Sequence, residues 1–503
     1  MVTLIKNILL VDGSGKPPFK ADIIIRDEKI LAIGSFPNYK ADSVIFGNEG
    51  YLVPGFIDVN SGSDRYLTLF SYPLHKDFLL QGITTTIVGH CGFSLAPNLY
   101  GQLDHFFNWT KTNTFNVNWR SVGEFLLALD EQKNLGVNVG TLVGHKVVRE
   151  DILKDPSEFR KLTANELRVF RLVLEQSFSQ GAFGLSTGLG NYPYQNTPYH
   201  ELRALLGAVK DGRGIYTTHL RNEREGVVSS VEETVKLSQE TGVSTIISHF
   251  RPFIGFEEEY QQAKEHIENN VARADVYFDI NPFDASAVSL DAFIPEALQG
   301  EDQSVMIAKM QDPKTSKEIQ ALFPRIDSKK MIILHAPDME FLNGKTLYEF
   351  AQTRQLSYQA ALLKLMEITK LRGVVFYSNL NPEQISSALF SPRALISTNS
   401  PSFDNALVSF KPDRSLRTFP TYLHIADQKG MSIEKSIARL SGLPARILNL
   451  DGRGFISDGY FADLVLLGKD LDVQMVMVNG ALMMQAGVFG NMQKGFGKAL
   501  RKV

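Results

Sequence analysis

From about residue 53 to residue 400 the chain repeats one pattern: a short apolar run rich in β-branched residues, a polar residue, then a segment of helical period. GFIDV runs into Asn60, TTTIVG into His90 and Cys91, VNVGTLVG into His145, AFGLS into Thr187, GIYTT into His219, STIIS into His249, DVYF into Asp279 and ALIST into Asn399. Between them, segments such as SVGEFLLALDEQKN (121–134) and TANELRVFRLVLEQSFSQ (163–180) set apolar residues three and four apart. Strands alternating with helices build a parallel sheet. Eight such strands, each handing a polar group to its carboxyl end, predict an α/β fold of the (β/α)8 TIM-barrel type, in which the site forms at those ends. An open doubly wound sheet would gather its polar groups near one switch point, and the chain has no GxGxxG.

Both ends of the chain lack the helical segments. VTLIKNILLV, ADIIIRD, KILAIG and SVIFG near the start, and ADLVLLG and VQMVMVNGALMMQAG near the end, alternate like antiparallel strands, and the two sets are expected to lie together. The interval after the seventh strand is too long for one crossover. It holds two further strand-like runs, MIILHA and GVVFYS, and helices over 347–351 and 358–368, which predicts an inserted subdomain. The expected organisation is therefore 1–52 as the first part of a small β-sandwich, 53–284 as barrel, 285–345 as the insert with an outer limit near 390, 346–450 as barrel and 451–503 as the second part of the sandwich.

With 52 basic and 55 acidic side chains there is no basic excess to suggest a nucleic-acid partner. A single cysteine cannot form an internal disulfide, and neither a signal peptide nor an apolar run of membrane-spanning length is present, so a cytoplasmic protein without membrane contact is expected.

The stretch GITTTIVGHCGFSLAP (82–97) carries that one cysteine, at a strand end beside a histidine. Zinc accepts thiolate sulfur and imidazole nitrogen, and catalytic zinc sites typically use three protein ligands. Cys91, His219 and His249 each follow a different strand and could supply them. The competing reading makes Cys91 a small buried hydrophobe and the histidines polar strand caps. His90 and Cys91, being adjacent in an extended segment, point to opposite faces and are not expected on one ion. His145 could orient a substrate or donate to a developing oxyanion, or be a hydrogen-bonded loop residue. His335, in the insert, reads as structural. Lys146 reads as a loop charge, with a catalytic amine as the alternative.

VPGFIDV, QGITTTIVGHCGFSLAP, LVGH, GAFGLSTGL, THLRNE, SHF, INPFDAS, TFP, LPARIL and RGFISDGYFADLVLL together resemble, in order and over nearly the whole chain, the N-acyl-D-amino-acid deacylases, the D-aminoacylase branch of the amidohydrolase superfamily. The resemblance implies a barrel flanked by a composite β-sandwich with a small insertion, and one zinc ion on Cys91, His219 and His249. It also implies that Arg251, where the family usually has lysine, and Arg414 hold the substrate carboxylate, a task that guanidinium geometry suits.

The departures fall in the pocket. The family's His-x-His pair is Asn60-Ser61-Gly62 here, so a second metal position loses both imidazoles. The family's general-base aspartate is Asn399, a tyrosine that contacts substrate is Phe283, and the glycine after Gly-His is Lys146. An amide cannot take a proton from water, and loss of a positioned base costs about 10²- to 10⁴-fold in rate. The expected activity is hydrolysis of the C–N bond of a small N-acylated amino acid with one zinc, Asp279 or Asp284 serving as substitute base. The alternative is an impaired or non-catalytic relative that binds metal or an anionic ligand. A third option is another C–N bond, such as that of a cyclic imide, with Lys146 taking part.

Overall fold

A computed structural model describes residues 1–100, 117–154, 159–294, 303–323, 326–403, 410–490 and 495–502. The eight expected barrel strands are Phe56–Asp58, Ile83–Val88, Asn138–Thr141 continued by Val143–Gly144, Gly184–Gly188, Ile215–His219, Thr245–Ile247, Val276–Ile280 and Ala394–Ile396. The first three form one parallel ladder, and Val143–Gly144 through Ala394–Ile396 form another, with the eighth strand paired to the seventh. The ring closes through polar contacts: Thr398 N–H donates to Asp58 Oδ1 at 3.0 Å and Asn399 N–H to the Asn60 carbonyl at 2.9 Å.

The helices between strands are set by their own sequence. Ser121 with Glu124 and Thr163 with Glu166 form reciprocal capping boxes, and the buried residues Val122, Phe125, Leu126 and Leu129 recur three and four apart on the first of these helices. Inside the barrel, Ile57, Ile87, Ile215, Ile246 and Leu395 make an apolar layer with Ala445, Ile447 and Leu448. Burial of that layer leaves the threonines, serines and histidines of the strand ends at the opposite mouth, where a site can form.

The two chain ends share one nine-stranded sheet, in which Tyr51–Pro54 pairs antiparallel with Leu464–Leu467. Ile5, Ile23, Ile25, Leu52, Leu464, Leu466, Met475 and Met477 form its core. The last described residues leave that sheet and run along the barrel, where Leu500 N–H donates to the Val139 carbonyl at 2.7 Å. The sandwich therefore does not take in all of 451–503. The insert is an antiparallel sheet of Ala285–Ser289, Val374–Ser378 and Met331–His335 with its own core, including Ile319, Ile333, Phe350, Leu362 and Val375. The helices Leu347–Gln352 and Tyr358–Ile368 pack on it, and the chain returns to the barrel at Pro382–Leu389, within the outer limit near 390. His335 lies in an insert strand, away from the barrel mouth.

Candidate metal and substrate site

Three strand ends converge. One ligand-capable atom each from Cys91, His219 and His249 lies within 4.8 Å of the other two. Cys91 Sγ is 3.2 Å from His249 Nε2, and the two imidazole rings meet edge to face with centroids 4.5 Å apart. Cys91 and His249 have φ of 56° and 40°, and so does Asn399 at 43°. Left-handed backbone at non-glycine residues is uncommon and concentrates at functional sites. The Cys91 turn is pinned from both sides: Gly89 N–H donates to Asp64 Oδ2 at 2.8 Å and Gly92 N–H to Ser186 Oγ at 3.1 Å. A side chain at Gly188 would put its Cβ 2.2 Å from the Cys91 carbonyl oxygen, so this neighbour has to be glycine.

Glu223 organises the trio from behind. Its Oε2 is 3.1 Å from His219 Nε2, its Oε1 is 3.3 Å from His249 Nδ1, and the Arg251 guanidinium donates to both oxygens. Burial works against the Glu223 charge, but Arg251 and His219 hold its carboxyl well below the usual range. Burial also opposes charge on Cys91, yet His249 and His219 pull its thiol well below the ordinary value; His249, with burial against it and the Cys91 sulfur in its favour, rises to about 9. This is a cysteine and two histidine rings oriented by a carboxylate, a donor set and outer partner that fit zinc once the ligands give up their protons to bind it. Glu223 is the final residue of THLRNE, four after His219, and that spacing is the signal by which it could have been found.

A cavity opens beside His249, lined among others by Arg251, Phe283, Asn399 and Arg414. The residues lining it, as described, include no aspartate or glutamate. Arg414 is 5% exposed and its Nε makes no hydrogen bond to any described residue. Burial lowers its pKa to about 10. A buried cation of this kind is a site for an anion. Arg251, by contrast, is already tied to Glu223 and lies over the Phe253 ring at 5.1 Å.

Other candidates lie elsewhere. His145 begins the helix His145–Leu153 and turns into the helical layer, its Nε2 2.9 Å from Glu201 Oε1 and its ring stacked on Phe170 at 5.4 Å. It does not line the cavity, because Glu201, shared with Arg149 at 3.1 Å, captures it. Lys146 Nζ rests over the rings of Phe93 at 4.7 Å and Tyr194 at 5.5 Å, held as a charge against aromatics. Asp284 is exposed and absent from the cavity wall. Asp279 is fully buried, with Oδ2 accepting from Asn60 Nδ2 at 3.0 Å and Oδ1 from Ser397 Oγ at 2.5 Å, so both oxygens are engaged. His90 is buried, and burial pushes it down to about 4, leaving it neutral.

The structure is thus a (β/α)8 barrel flanked by a sheet of both chain ends, with a cysteine and two histidines gathered at its strand ends. No protein-family model matches the chain. It is similar to the D-aminoacylase of Alcaligenes xylosoxydans xylosoxydans, 26% identical over 97% of this chain and 95% of that protein. It is likewise similar to the N-acyl-D-aspartate deacylase of the same organism, 26% identical over 92% of this chain and 85% of that one. Among solved structures, the N-acyl-D-glutamate deacylase of Bordetella bronchiseptica, complexed with zinc and a phosphonate inhibitor, superposes with a TM-score of 0.81 at 24% identity, covering 99% of each chain. A D-hydantoinase of Thermus sp. shares the fold more distantly, with a TM-score of 0.56 at 16% identity over 99% of each chain. Over nearly its whole length the chain is thus similar to D-aminoacylases and N-acyl-D-amino-acid deacylases.

Proposed function

We propose that the chain is a one-zinc amidohydrolase that takes N-acylated amino acids and hydrolyses the linear amide C–N bond, with turnover lowered by the amide at position 399. The observation that carries this reading is the pairing of an intact Cys91, His219 and His249 trio with a buried Arg414, whose Nε has no hydrogen-bond partner among the described residues, in the adjoining cavity. Cys91, His219 and His249 would hold the zinc, which supplies a Lewis acid for carbonyl polarisation and water activation. Glu223 keeps both imidazoles oriented. Arg414, with the Arg251 N–H groups that Glu223 leaves free, grips the substrate carboxylate and so fixes where the acyl group lies. Phe283 offers that substrate a ring and no hydroxyl. In hydrolysis the elements of water add across the C–N bond, giving a carboxylic acid and an amine. Asn399 can orient a water through its amide but cannot take the proton.

A second reading, a barrel that binds metal and an acylated ligand without turning it over, draws on a specific pair of facts. Asn399 replaces the expected base, and Asp279, the nearest substitute, has both oxygens engaged. One assay separates the two: N-acyl-D-amino acids offered to the zinc-restored protein, beside a chelated control, for the wild type and Asn399→Asp. Zinc-dependent hydrolysis in the wild type, rising about 10²- to 10⁴-fold in the variant, is expected for the first reading. Binding with no turnover in either protein would leave the second.

A further inference from the structure

The helix that carries Arg414 is broken near its start. Between Asp413 and Gln428 the residue Arg417 has φ of −150° and ψ of 23°, outside the helical region, and Pro420 follows three residues later. In an unbroken helix the Phe419 N–H would donate to the Ser415 carbonyl, four residues back. Here Gln81, fully buried at the entry to the second barrel strand, stands in for both partners. Its Nε2 donates to the Ser415 carbonyl at 2.7 Å, and its Oε1 accepts from Phe419 N–H at 3.4 Å. One primary amide thus takes the two halves of the missing helical hydrogen bond. The other Nε2 hydrogen goes to the Asp77 carbonyl at 3.1 Å, so the amide is held from its own side too.

The same short segment anchors the chain on the other flank of Arg414. Lys411 Nζ lies 2.9 and 3.0 Å from the two Asp77 carboxylate oxygens, and Ser415 Oγ is 2.5 Å from Ser400 Oγ, one residue beyond Asn399. These contacts anchor residues on either side of Arg414, and none of them engages its guanidinium. A side chain inserted into the hydrogen-bond ladder is a recognised cause of a helix kink.

We propose that Gln81 is a positioning residue for Arg414: its amide holds the break at the angle that presents the guanidinium to the cavity, so the break sets the reach of the carboxylate grip. This rests on the reading of Arg414 as the group that binds the substrate carboxylate.

The test uses the zinc-loaded chain and two probes, N-acetyl-D-methionine and its primary carboxamide, with dissociation constants measured by calorimetry for the wild type, Arg414→Met and Gln81→Met. Gln81→Glu serves as a second variant, which keeps the acceptor for Phe419 N–H and loses the donor to Ser415. Amide hydrogen exchange over 413–420 is followed in parallel. The wild type is expected to prefer the acid, Arg414→Met to lose that preference, and Gln81→Met to lower it about 10-fold with carboxamide binding unchanged and exchange over 413–420 faster, since small misplacements of a positioned group cost up to about 10²-fold. Gln81→Glu is expected to fall between the wild type and Gln81→Met. Full acid preference in both Gln81 variants, alongside its loss in Arg414→Met, overturns the role of Gln81. An unchanged acid preference in Arg414→Met shows that the reading of Arg414 is at fault, and the proposal falls with it.

Discussion

Asn60 donates its side-chain amide to Asp279 Oδ2 at 3.0 Å, with both side chains buried. The asparagine that follows the first barrel strand is thus employed in satisfying a buried carboxylate.

That bond is worth measuring directly. Asn60→Leu removes the donor and leaves a fully buried oxygen without it, so the variant is expected to be less stable by about 1–3 kcal/mol. Urea unfolding of both proteins checks this, and an unchanged midpoint would show that Asp279 does not depend on Asn60.

Glu223 is expected to govern metal affinity without touching the metal. Partners that orient ligating histidines typically contribute about 10- to 100-fold in affinity. Glu223→Gln keeps the shape and loses the charge, so zinc should bind weaker by that factor in chelator competition, while Cys91→Ala should retain almost no zinc by elemental analysis. Equal zinc content in Cys91→Ala and the wild type would remove Cys91 from the site.

Acid sensitivity should trace in part to His75, far from the barrel mouth. Its ring is fully buried against Phe78, Nδ1 is 2.9 Å from the Pro73 carbonyl, and burial pushes its pKa down to about 4. The unfolded chain takes up this proton near pH 6.5 and the folded chain only near pH 4. The contribution is therefore present above pH 6.5 and lost as pH falls through that window, by at most about 1.4 kcal/mol per pH unit. His75→Phe keeps an apolar ring and should lose less stability between pH 7 and pH 4.5 than the wild type, by urea titration at each pH. Parallel pH profiles would remove His75 from the account.

The barrel was legible because its strands are short, β-branched and stopped by polar groups, and because helices such as 121–131 announce themselves by capping residues. The proximity of Cys91, His219 and His249 could be expected for the same reason, each lying at or just past the end of a barrel strand. Partnership across the layers was harder to read. His145 has the same sequence setting as His219, but Glu201 of a later helix captures its ring. The existence of the insert was legible from its two extra strand-like runs, but its far limit was not, since helices 347–352 and 358–368 carry no local mark of which sheet they cover and only the apolar face of the inserted sheet claims them. Gln81 carries no local signal at all, because the helix break it fills lies more than 300 residues further along the chain.

The pairing of Tyr51–Pro54 with Leu464–Leu467 has a bearing on synthesis. The amino-terminal strands emerge first from the ribosome but cannot complete their sheet until nearly the whole barrel has followed. Until then Leu52 and Val53 have no partner for Leu466 and Val465 to provide, and an apolar sheet edge stays open. Long-range pairing of this kind is slow to form and exposed to aggregation while it waits. Premature termination between the last barrel helix, Leu443–Leu448, and residue 464 would leave a barrel with that edge uncovered, so the last strands act as the lock on a fold whose barrel strands have by then all been made.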